Sequence, residues 1–220
     1  NIVNSYRTGI RIITDELSSQ INILAIPGIR DSNITDYASE KVKDYNKAIY
    51  LVDIPSYDSD NNRLFDDDKK IVSVRKTIDN FESRTIDNNY LATYFPDVIK
   101  HYSQEDGGIV PVPASIAALE ALGYNDSVSF PWFAPAGFNR GGLTDIVNTK
   151  ARLNTEERNL LYESRINPIA NFNINDFVIF GQKTLQQSKS SLDRVNVRRM
   201  LLEVKRIVAD AASNIIFEQN

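Results

Sequence analysis

Cysteine is absent from the 220 residues, and histidine, tryptophan and methionine occur once each. A chain without cysteine has no disulfide framework, no thiolate zinc site and no cysteine nucleophile. With His101 as the one histidine, a metal site built from several histidines is disfavoured as well. No apolar run approaches the ~20 residues that span a bilayer, and the first residues lack the pattern of a signal peptide. We therefore expect neither a cysteine-based site nor a membrane span.

A strong excess of one charge is also missing. The chain has 25 Lys and Arg against 29 Asp and Glu, a net charge of -4, and 42% hydrophobic residues. This balance predicts no polybasic surface for nucleic acid or a membrane. A compact chain of this size buries roughly 70% or more of its unfolded surface, which suffices for a core. We expect one domain over residues 1–220, cut from a longer protein, with an acidic surface loop at residues 56–70.

Short apolar runs and helical periodicity alternate along the chain. Runs that end at Pro or Gly predict buried strands at residues 21–26, 47–54, 89–95 and 176–181. Apolar spacing and capping residues predict helices at residues 33–45, 69–82, 113–122, 154–165 and 193–217. The caps include Asn33, Asn154 and Gly123, the last of these just past a helix end. Strand, helix, strand near the start indicates a right-handed parallel crossover. The predicted fold class is α/β: a layered domain with a mainly parallel sheet flanked by helices and lacking terminal arms.

Motifs for catalysis are not found. The turn at residues 27–30 lacks the G-x-G-x-x-G pattern that brings a backbone close to pyrophosphate, and no phosphate loop or G-x-S-x-G elbow follows elsewhere. His101 lies in a polar stretch with no nucleophile motif beside it, which favours a solvated loop histidine. Asp53 ends a strand but lacks the neighbouring serines of a metal-binding adhesion site. We predict no catalytic residue and no cofactor.

The acidic loop is the best candidate for a metal site. Asp58, Asp60 and Asn62 occupy the spacing of the first ligands in a calcium loop. The pattern then fails, because Arg63 stands where the turn needs Gly and Lys69 stands where a bidentate Glu is needed. A solvated loop that leads into a helix is therefore the favoured interpretation, and we predict no metal.

The last predicted helix carries a cationic surface. Residues 193–210 contain five cationic and three acidic side chains, which gives this segment a net charge of +2. An ordinary polar helix face and a docking face for an acidic partner are both compatible with this pattern. The helix also carries one apolar stripe, formed by Val197, Leu201, Val204, Val208, Ala211 and Ile215.

Four further stretches share a pattern with one family. They are APAGFNRGG at residues 134–142, INPI at 166–169, VIFGQKT at 178–184 and LDRVNVRRM at 192–200. In order and spacing these stretches resemble the A-P-A-G-[YF]-N-R-G, I-N-P-[IV], W-G-x-[KR]-T and D-R-[IVY]-N-V-R-R-[LF] motifs of contractile phage tail sheath proteins. Departures are small: Phe180 stands where many relatives have Trp, and residues 173–175 replace a Gly-rich turn.

The resemblance implies a structural, self-assembling subunit. Sheath subunits polymerise around an inner tail tube and contract to drive it through the target cell envelope. The implied partners are other copies of the chain, the tube protein, the baseplate and the tail terminator, in a virion tail that is assembled in the host cytoplasm. The motif residues are then structural: Pro135, Gly137, Asn139, Arg140, Gly141, Asn167, Pro168, Gly181 and Asn196. The implied subunit or tube interface comprises Arg198, Arg199, Lys205 and Arg206. Trp132, Phe133 and Phe138 are expected to pin the first motif onto the core.

Two alternatives stay open at this point. One is a nucleotide-binding or hydrolase domain on the same α/β scaffold, because fold alone does not fix function. The other keeps the sheath and changes the machine, to a bacteriocin or a secretion-type contractile injection system.

Overall fold

The computed structural model describes residues 2–65, 69–101, 108–173, 176–213 and 215. Its helices are α1 Ile2–Ile13, α2 Ser32–Tyr45, α3 Val74–Glu82, α4 Ala114–Val128, α5 Thr155–Glu163 and α6 Val195–Ser213. The strands are β1 Ile23–Ala25, β2 Ile49–Val52, β3 Ser56–Tyr57, β4 Arg63–Leu64, β5 Leu91–Phe95, β6 Val98–His101, β7 Ile109–Val112, β8 Gly142–Leu143, β9 Ile146–Thr149, β10 Ile166–Asn173 and β11 Asp176–Ile179.

The main sheet has six strands in the order β1-β2-β5-β10-β11-β8. The first four strands are parallel, and β11 and β8 continue the sheet antiparallel. The predicted crossover near the start is confirmed, because Ile23 of β1 pairs in parallel with Ile49 of β2. The α/β class with a mainly parallel sheet flanked by helices is therefore confirmed.

Alternation along β2 divides the hydrophobic interior into two cores. Tyr50 and Val52 belong to one core, together with the buried sides of α2 and α3. Ile49 and Leu51 point the other way, into the core that α4 and the start of α6 cover. Because successive side chains of a strand face opposite sides of the sheet, a continuous apolar run is what a strand buried on both faces requires.

Three predicted helix boundaries are wrong. The cap of α2 is Asp31, whose side chain accepts from Asn33 N, and not Asn33 itself. The helix predicted from residue 69 begins at Val74, where the Ser73 side chain caps it. Gly123 lies inside α4 rather than beyond its end, because the helix continues to Val128 and buries Asn125 past the glycine.

Helix α1 and several short strands were not predicted. Helix α1 packs on α2. Strands β7, β6 and β9 form a separate antiparallel sheet, which places His101 at a strand end opposite Ile109 rather than in a loop. Strands β3 and β4 form a hairpin within the predicted acidic loop, whose residues 66–68 lie outside the described part. Residues 102–107 and 174–175 of the predicted loops also lie outside it. These strands have two to four residues, too few for a clear alternation.

The last helix is shorter than predicted, and its stripe is largely uncovered. Helix α6 ends at Ser213, and residues 214, 216 and 217 of the prediction lie outside the described part. Its buried residues end at Leu202, whereas Val204, Val208 and Ile215 are exposed. Within the described ranges, no helix combines the length and the apolar character that crossing a membrane needs.

Candidate functional site

The segment 134–142, here called the glycine loop, is hydrogen-bonded to the edge of β11. Gly137 N donates to Ile179 O at 2.9 Å, and Ile179 N donates to Gly141 O at 2.8 Å. Gly137 has φ +79°, a left-handed conformation that side chains resist. A Cβ on Gly141 would lie 2.7 Å from the Ala136 Cα, so this position has no room for a side chain. The two glycines let the loop fold back and pair with the sheet.

The Arg140 side chain contacts the start of the glycine loop and the residue before it. The Arg140 Nε donates to Ala134 O at 3.2 Å, and its guanidinium lies 4.9 Å from the centre of the Phe133 ring. Pro135 is buried, whereas Asn139 is exposed. Arg140 thus caps a carbonyl of its own loop.

The aromatic side chains around this loop do not insert into either core, which corrects the expected anchoring. Trp132 and Phe133 are about 40% exposed, and Trp132 stacks on Phe130 with 4.7 Å between ring centres. Phe138 contacts two other exposed or half-buried rings, Phe172 and Phe180. They associate with one another at the surface, and neither core cluster includes them.

Asn167 links β5, β10 and the segment after β11 in one buried contact. Its Nδ2 donates to Thr93 O at 3.0 Å and to Lys183 O at 2.9 Å, and its Oδ1 accepts from Lys183 N at 2.6 Å. A Cβ on Gly181 would lie 2.9 Å from that Oδ1, so the glycine makes room for the amide. Pro168 accepts from Phe180 N through its carbonyl at 2.8 Å. We call Asn167 with these partners the amide clamp.

Two arginines predicted to form an interface are buried, which corrects that part of the expected cationic face. Arg198 is 4% exposed; it donates to Asn89 O and Oδ1 and lies 4.0 Å from the centre of the Tyr90 ring. Burial lowers the pKa of Arg198. Arg199 is 5% exposed and forms an ion pair with Asp126. Arg198 thus ties the start of α6 to the residues before β5, and Arg199 ties it to α4.

The remaining members of the cationic face are exposed but engaged. Lys205 Nζ donates to Asn46 Oδ1 at 2.7 Å. Arg206 bonds along its own helix to Glu203 at 3.1 Å and to Asp210 at 3.2 Å, and the hydrogen bond with Glu203 raises its pKa. At the start of the helix, Asn196 Nδ2 donates to Trp132 O at 3.2 Å. Of the four predicted interface cations, Lys205 and Arg206 are therefore the two that are exposed.

The carboxyl edge of the parallel strands, where open α/β sheets bind ligands, is filled by internal bonds. Asp53 accepts from Gly28 N at 2.9 Å, from Ser115 N at 3.0 Å and from Ser115 Oγ at 2.7 Å. Asp97 accepts from Ala114 N at 3.0 Å and forms an ion pair with Arg30. Two carboxylates thus occupy the first amides of α4. Sequence reasoning singled out Asp53 and missed Asp97. The signal that could have found both is that each acid lies at or just after the end of a predicted strand.

The acidic hairpin satisfies its own carboxylate. Asp58 accepts from Asp60 N at 3.0 Å, from Asn62 N at 2.8 Å and from Lys70 Nζ at 3.1 Å. These bonds, the backbone bond from Asn62 above all, lower the pKa of Asp58 to about 2. The calcium-like spacing therefore forms a turn, and no cluster of three metal-ligating acids or histidines occurs among the described residues.

Comparison with solved structures defines the class of fold. The anti-feeding prophage baseplate structure matches 98% of this chain and 51% of its own chain, with TM-score 0.69 and 19% identity. The contracted helical sheath of the anti-feeding prophage matches 97% of this chain and 52% of its own, with TM-score 0.67 and 21% identity. A sheath tail protein from Desulfitobacterium hafniense matches 99% and 44%, with TM-score 0.61 and 11% identity. The fold is that of contractile sheath subunits.

Sequence comparison finds relatives that are phage tail sheath proteins. The tail sheath protein of Vibrio phage KVP40 is 42% identical over 111 residues, which cover 50% of this chain and 16% of the relative. That of Enterobacteria phage T4 is 34% identical over 111 residues with the same coverage. No protein-family profile matches the chain. The chain is thus similar to contractile tail sheath proteins, as its motifs predicted, and spans about one sixth of the length of the curated relatives it matches.

Proposed function

We propose that this chain is the core of a sheath subunit that polymerises around an inner tail tube and contracts to drive the tube through a target cell envelope. The observation that carries the proposal is the 42% identity to a phage tail sheath protein, on a fold shared with a contracted helical sheath. The partners are further copies, the inner tail tube protein, the baseplate and the tail terminator. The subunit assembles in the host cytoplasm and resides in the virion tail.

In this proposal the free energy of contraction is a difference between two packings of the same subunits, and no nucleotide is consumed at that step. Such a transition needs a subunit core that moves as one body. Two hydrophobic cores share the main sheet, and buried arginines tie α6 to α4 and to the residues before β5. We infer that residues 1–220 act as one rigid domain, with the subunit contacts made at its surface.

The motif residues serve this rigidity rather than chemistry. Gly137 and Gly141 pair the glycine loop with β11, and Asn167 with Gly181 closes the amide clamp. The other motif positions lie within or directly beside these contacts: Pro135, Asn139, Arg140, Pro168 and Asn196. Each role is local, and none requires a bound ligand.

A non-enzymatic role is supported by the filled carboxyl edge of the sheet. Asp53 and Asp97 occupy the amides at the start of α4, the position where an α/β enzyme would hold an anionic substrate. The competing enzyme hypothesis predicts a ligand that stabilises the fold. A thermal-shift screen with nucleotides and divalent cations should leave the Tm unchanged. A saturable rise in Tm would favour the nucleotide-binding or hydrolase alternative.

For the tube-facing surface we propose the exposed end of α6, with Lys205 and Arg206 as its cations. Their contribution should be modest and salt-sensitive, because exposed charges mainly steer association. Charge reversal at both positions in the assembling sheath protein should slow its growth on purified tubes, most clearly at low salt. Unchanged growth would remove this surface from the proposal. Lys41→Glu combined with Lys43→Glu on α2 is a matched control, because it makes the same change in net charge.

The particular machine is proposed from the direction of the sequence similarity. Curated relatives at 31% to 42% identity are phage tail sheath proteins. Structural relatives at 19% to 21% identity come from the anti-feeding prophage and from an extracellular contractile injection system. We therefore favour a phage tail over a bacteriocin or secretion-type system. The genes that flank the coding sequence test this, since capsid and terminase genes accompany a phage tail.

Sedimentation and negative-stain electron microscopy test the central proposal. In the sheath family that the motifs resemble, terminal arms link subunits by adding strands to neighbouring sheets. Residues 1–220 alone should therefore stay monomeric, while a longer sheath chain that includes both these residues and such arms should form tubes or rings. Monomers in both samples would contradict the proposal. Tubes from residues 1–220 alone would keep the sheath function and remove the role of the arms.

A further inference from the structure

Three phenylalanines form an exposed cluster beside a surface groove. Phe138, Phe172 and Phe180 have ring centres 4.8–6.5 Å apart, and Phe138 and Phe180 are 61% and 46% exposed. The adjoining cavity of about 450 Å³ lies between the glycine loop, α5 and the segment after β11. We call this region the aromatic groove. Clustered exposed aromatic rings are typical of the centre of a protein interface.

The wall of the aromatic groove is cationic. Arg158 and Arg194 line it, and none of the described lining residues is Asp or Glu. Beside the groove, Asp193 forms an ion pair with the Arg194 Nε at 3.1 Å, which leaves the rest of that guanidinium and Arg158 for a partner. The Arg158 guanidinium lies 5.0 Å from the centre of the Phe172 ring. Next to the groove, burial and then the charge of Arg194 lower the pKa of Lys183, as expected where cations crowd. A groove with this composition suits an aliphatic side chain that is flanked by carboxylates.

The same chain presents such a side chain on an ordered turn. Leu17 is 99% exposed, and it follows Asp15 and Glu16 directly. The turn is held by Asp15 Oδ1, which accepts from Leu17 N at 3.1 Å and from Ser18 N at 2.9 Å. Among the described residues, no cation forms an ion pair with the Glu16 carboxylate. Single exposed leucines are common on surfaces. This one differs because its backbone is fixed and acids precede it.

The turn and the groove lie toward opposite sides of the main sheet. The turn precedes β1, the strand at one edge, and Lys47 Nζ next to β2 donates to its Glu16 O at 2.9 Å. The groove lies over the start of the antiparallel end, beside β10 and β11. Strands β2 and β5 separate the two, so the turn of one copy does not reach its own groove. Contact between two different patches of identical chains is head to tail; it generates a ring where the rotation closes and an open helix where it does not.

We propose that Leu17 of one copy inserts into the aromatic groove of the next copy, with Glu16 facing the guanidinium groups of Arg158 and Arg194. This inference rests on the proposed function, because a helical sheath supplies the second copy. It assigns one contact between neighbouring subunits to Leu17 and the aromatic groove, two sites that lie far apart in the sequence.

Cysteine cross-linking tests the contact directly, since these 220 residues contain no cysteine; any cysteine elsewhere in the sheath protein is replaced by serine. The sheath protein would be prepared as two variants, Leu17→Cys and Asn159→Cys; Asn159 is exposed and lines the groove. Co-assembled and mildly oxidised, the two should form a mixed disulfide, which requires Cα atoms within ~7 Å. Leu17→Cys with Gly123→Cys, an exposed position on α4, should not cross-link.

A second variant measures the contribution of Leu17 to assembly. Leu17→Asp should raise the protein concentration at which assembly begins about tenfold, the effect of exposing one leucine to water. Ile12→Asp, an equally non-core change in α1, should leave that concentration unchanged. Tubes that form normally with neither the cross-link nor the Leu17→Asp effect would overturn the contact and leave the sheath function intact. Absence of assembly from the unmodified sheath protein would overturn both.

Discussion

Replacing Asn167 by alanine removes the amide clamp from the interior. The side chain is fully buried and makes three hydrogen bonds, to Thr93 O, to Lys183 O and from Lys183 N. Each buried group left without a partner costs ~1–3 kcal/mol. Some of the freed groups regain partners as the structure relaxes, so we expect a loss of ~3 kcal/mol in the free energy of unfolding. A domain of this kind has ~5–15 kcal/mol in total.

Urea denaturation followed by circular dichroism measures this loss as a shift of the midpoint. Asn139→Ala is the matched control, because this asparagine is exposed in the glycine loop; we expect a change within ~0.5 kcal/mol. A loss below ~1 kcal/mol for Asn167→Ala, less than one unsatisfied group, would refute the clamp as a source of stability.

A double-mutant cycle separates the clamp from general core disruption. Gly181→Ala places a Cβ 2.9 Å from the Asn167 Oδ1, so this change alone should destabilise the fold. With Asn167→Ala present, the oxygen is gone and the added methyl has more room. The two losses should therefore be less than additive, with a coupling of ~0.5–3 kcal/mol, as for residues in contact. Full additivity would show that the glycine serves another purpose.

Three further outcomes follow from buried or bonded charges. Asp126→Ala leaves the Arg199 guanidinium buried without its carboxylate and should lower the free energy of unfolding by ~3 kcal/mol. The control Arg206→Ala, at an exposed residue, should change it by no more than ~0.5 kcal/mol. Equal effects of the two variants in thermal unfolding would contradict the buried pair. Asp53→Asn replaces an acceptor by an amide facing N–H donors and should lower stability by ~1–3 kcal/mol, and a neutral result would mean that water satisfies the start of α4. Because the folded pKa of Asp58, about 2, lies below its unfolded value of ~3.9, its contribution is complete above that value and is lost as the pH falls from about 4 to 2. Asp58→Asn should flatten this part of the stability–pH curve, and an unchanged curve would assign the acid response to other groups.

The central strands could be predicted from sequence because they are buried on both faces. The runs at residues 21–26, 47–54 and 89–95 are mostly apolar and are followed by Pro, and the structure places the edge strand β1 and the central strands β2 and β5 within them. The second sheet escaped prediction for the opposite reason. Strand β7 contains Pro111 and alternates between exposed and half-buried positions, so local composition did not distinguish it from a loop.

Side-chain roles were harder to predict than elements. Arg198 and Arg199 were expected at the surface because arginine is mostly exposed. Their burial depends on Asn89 and Asp126, which lie about a hundred and about seventy residues earlier in the chain. Similarly, Asp53 became a helix cap only through Ser115. Contacts of this kind depend on how distant elements pack, which spacing along one segment does not encode.

The lone tryptophan gives the molecule a built-in optical reporter. Trp132 stacks on Phe130, and its carbonyl accepts from Asn196 in the first turn of α6. Its indole is partly exposed, so its emission depends on how this joint is hydrated. Any rotation of α6 relative to the glycine loop would change that emission without an added dye. Time-resolved fluorescence of assembled subunits could then follow movement at one defined joint.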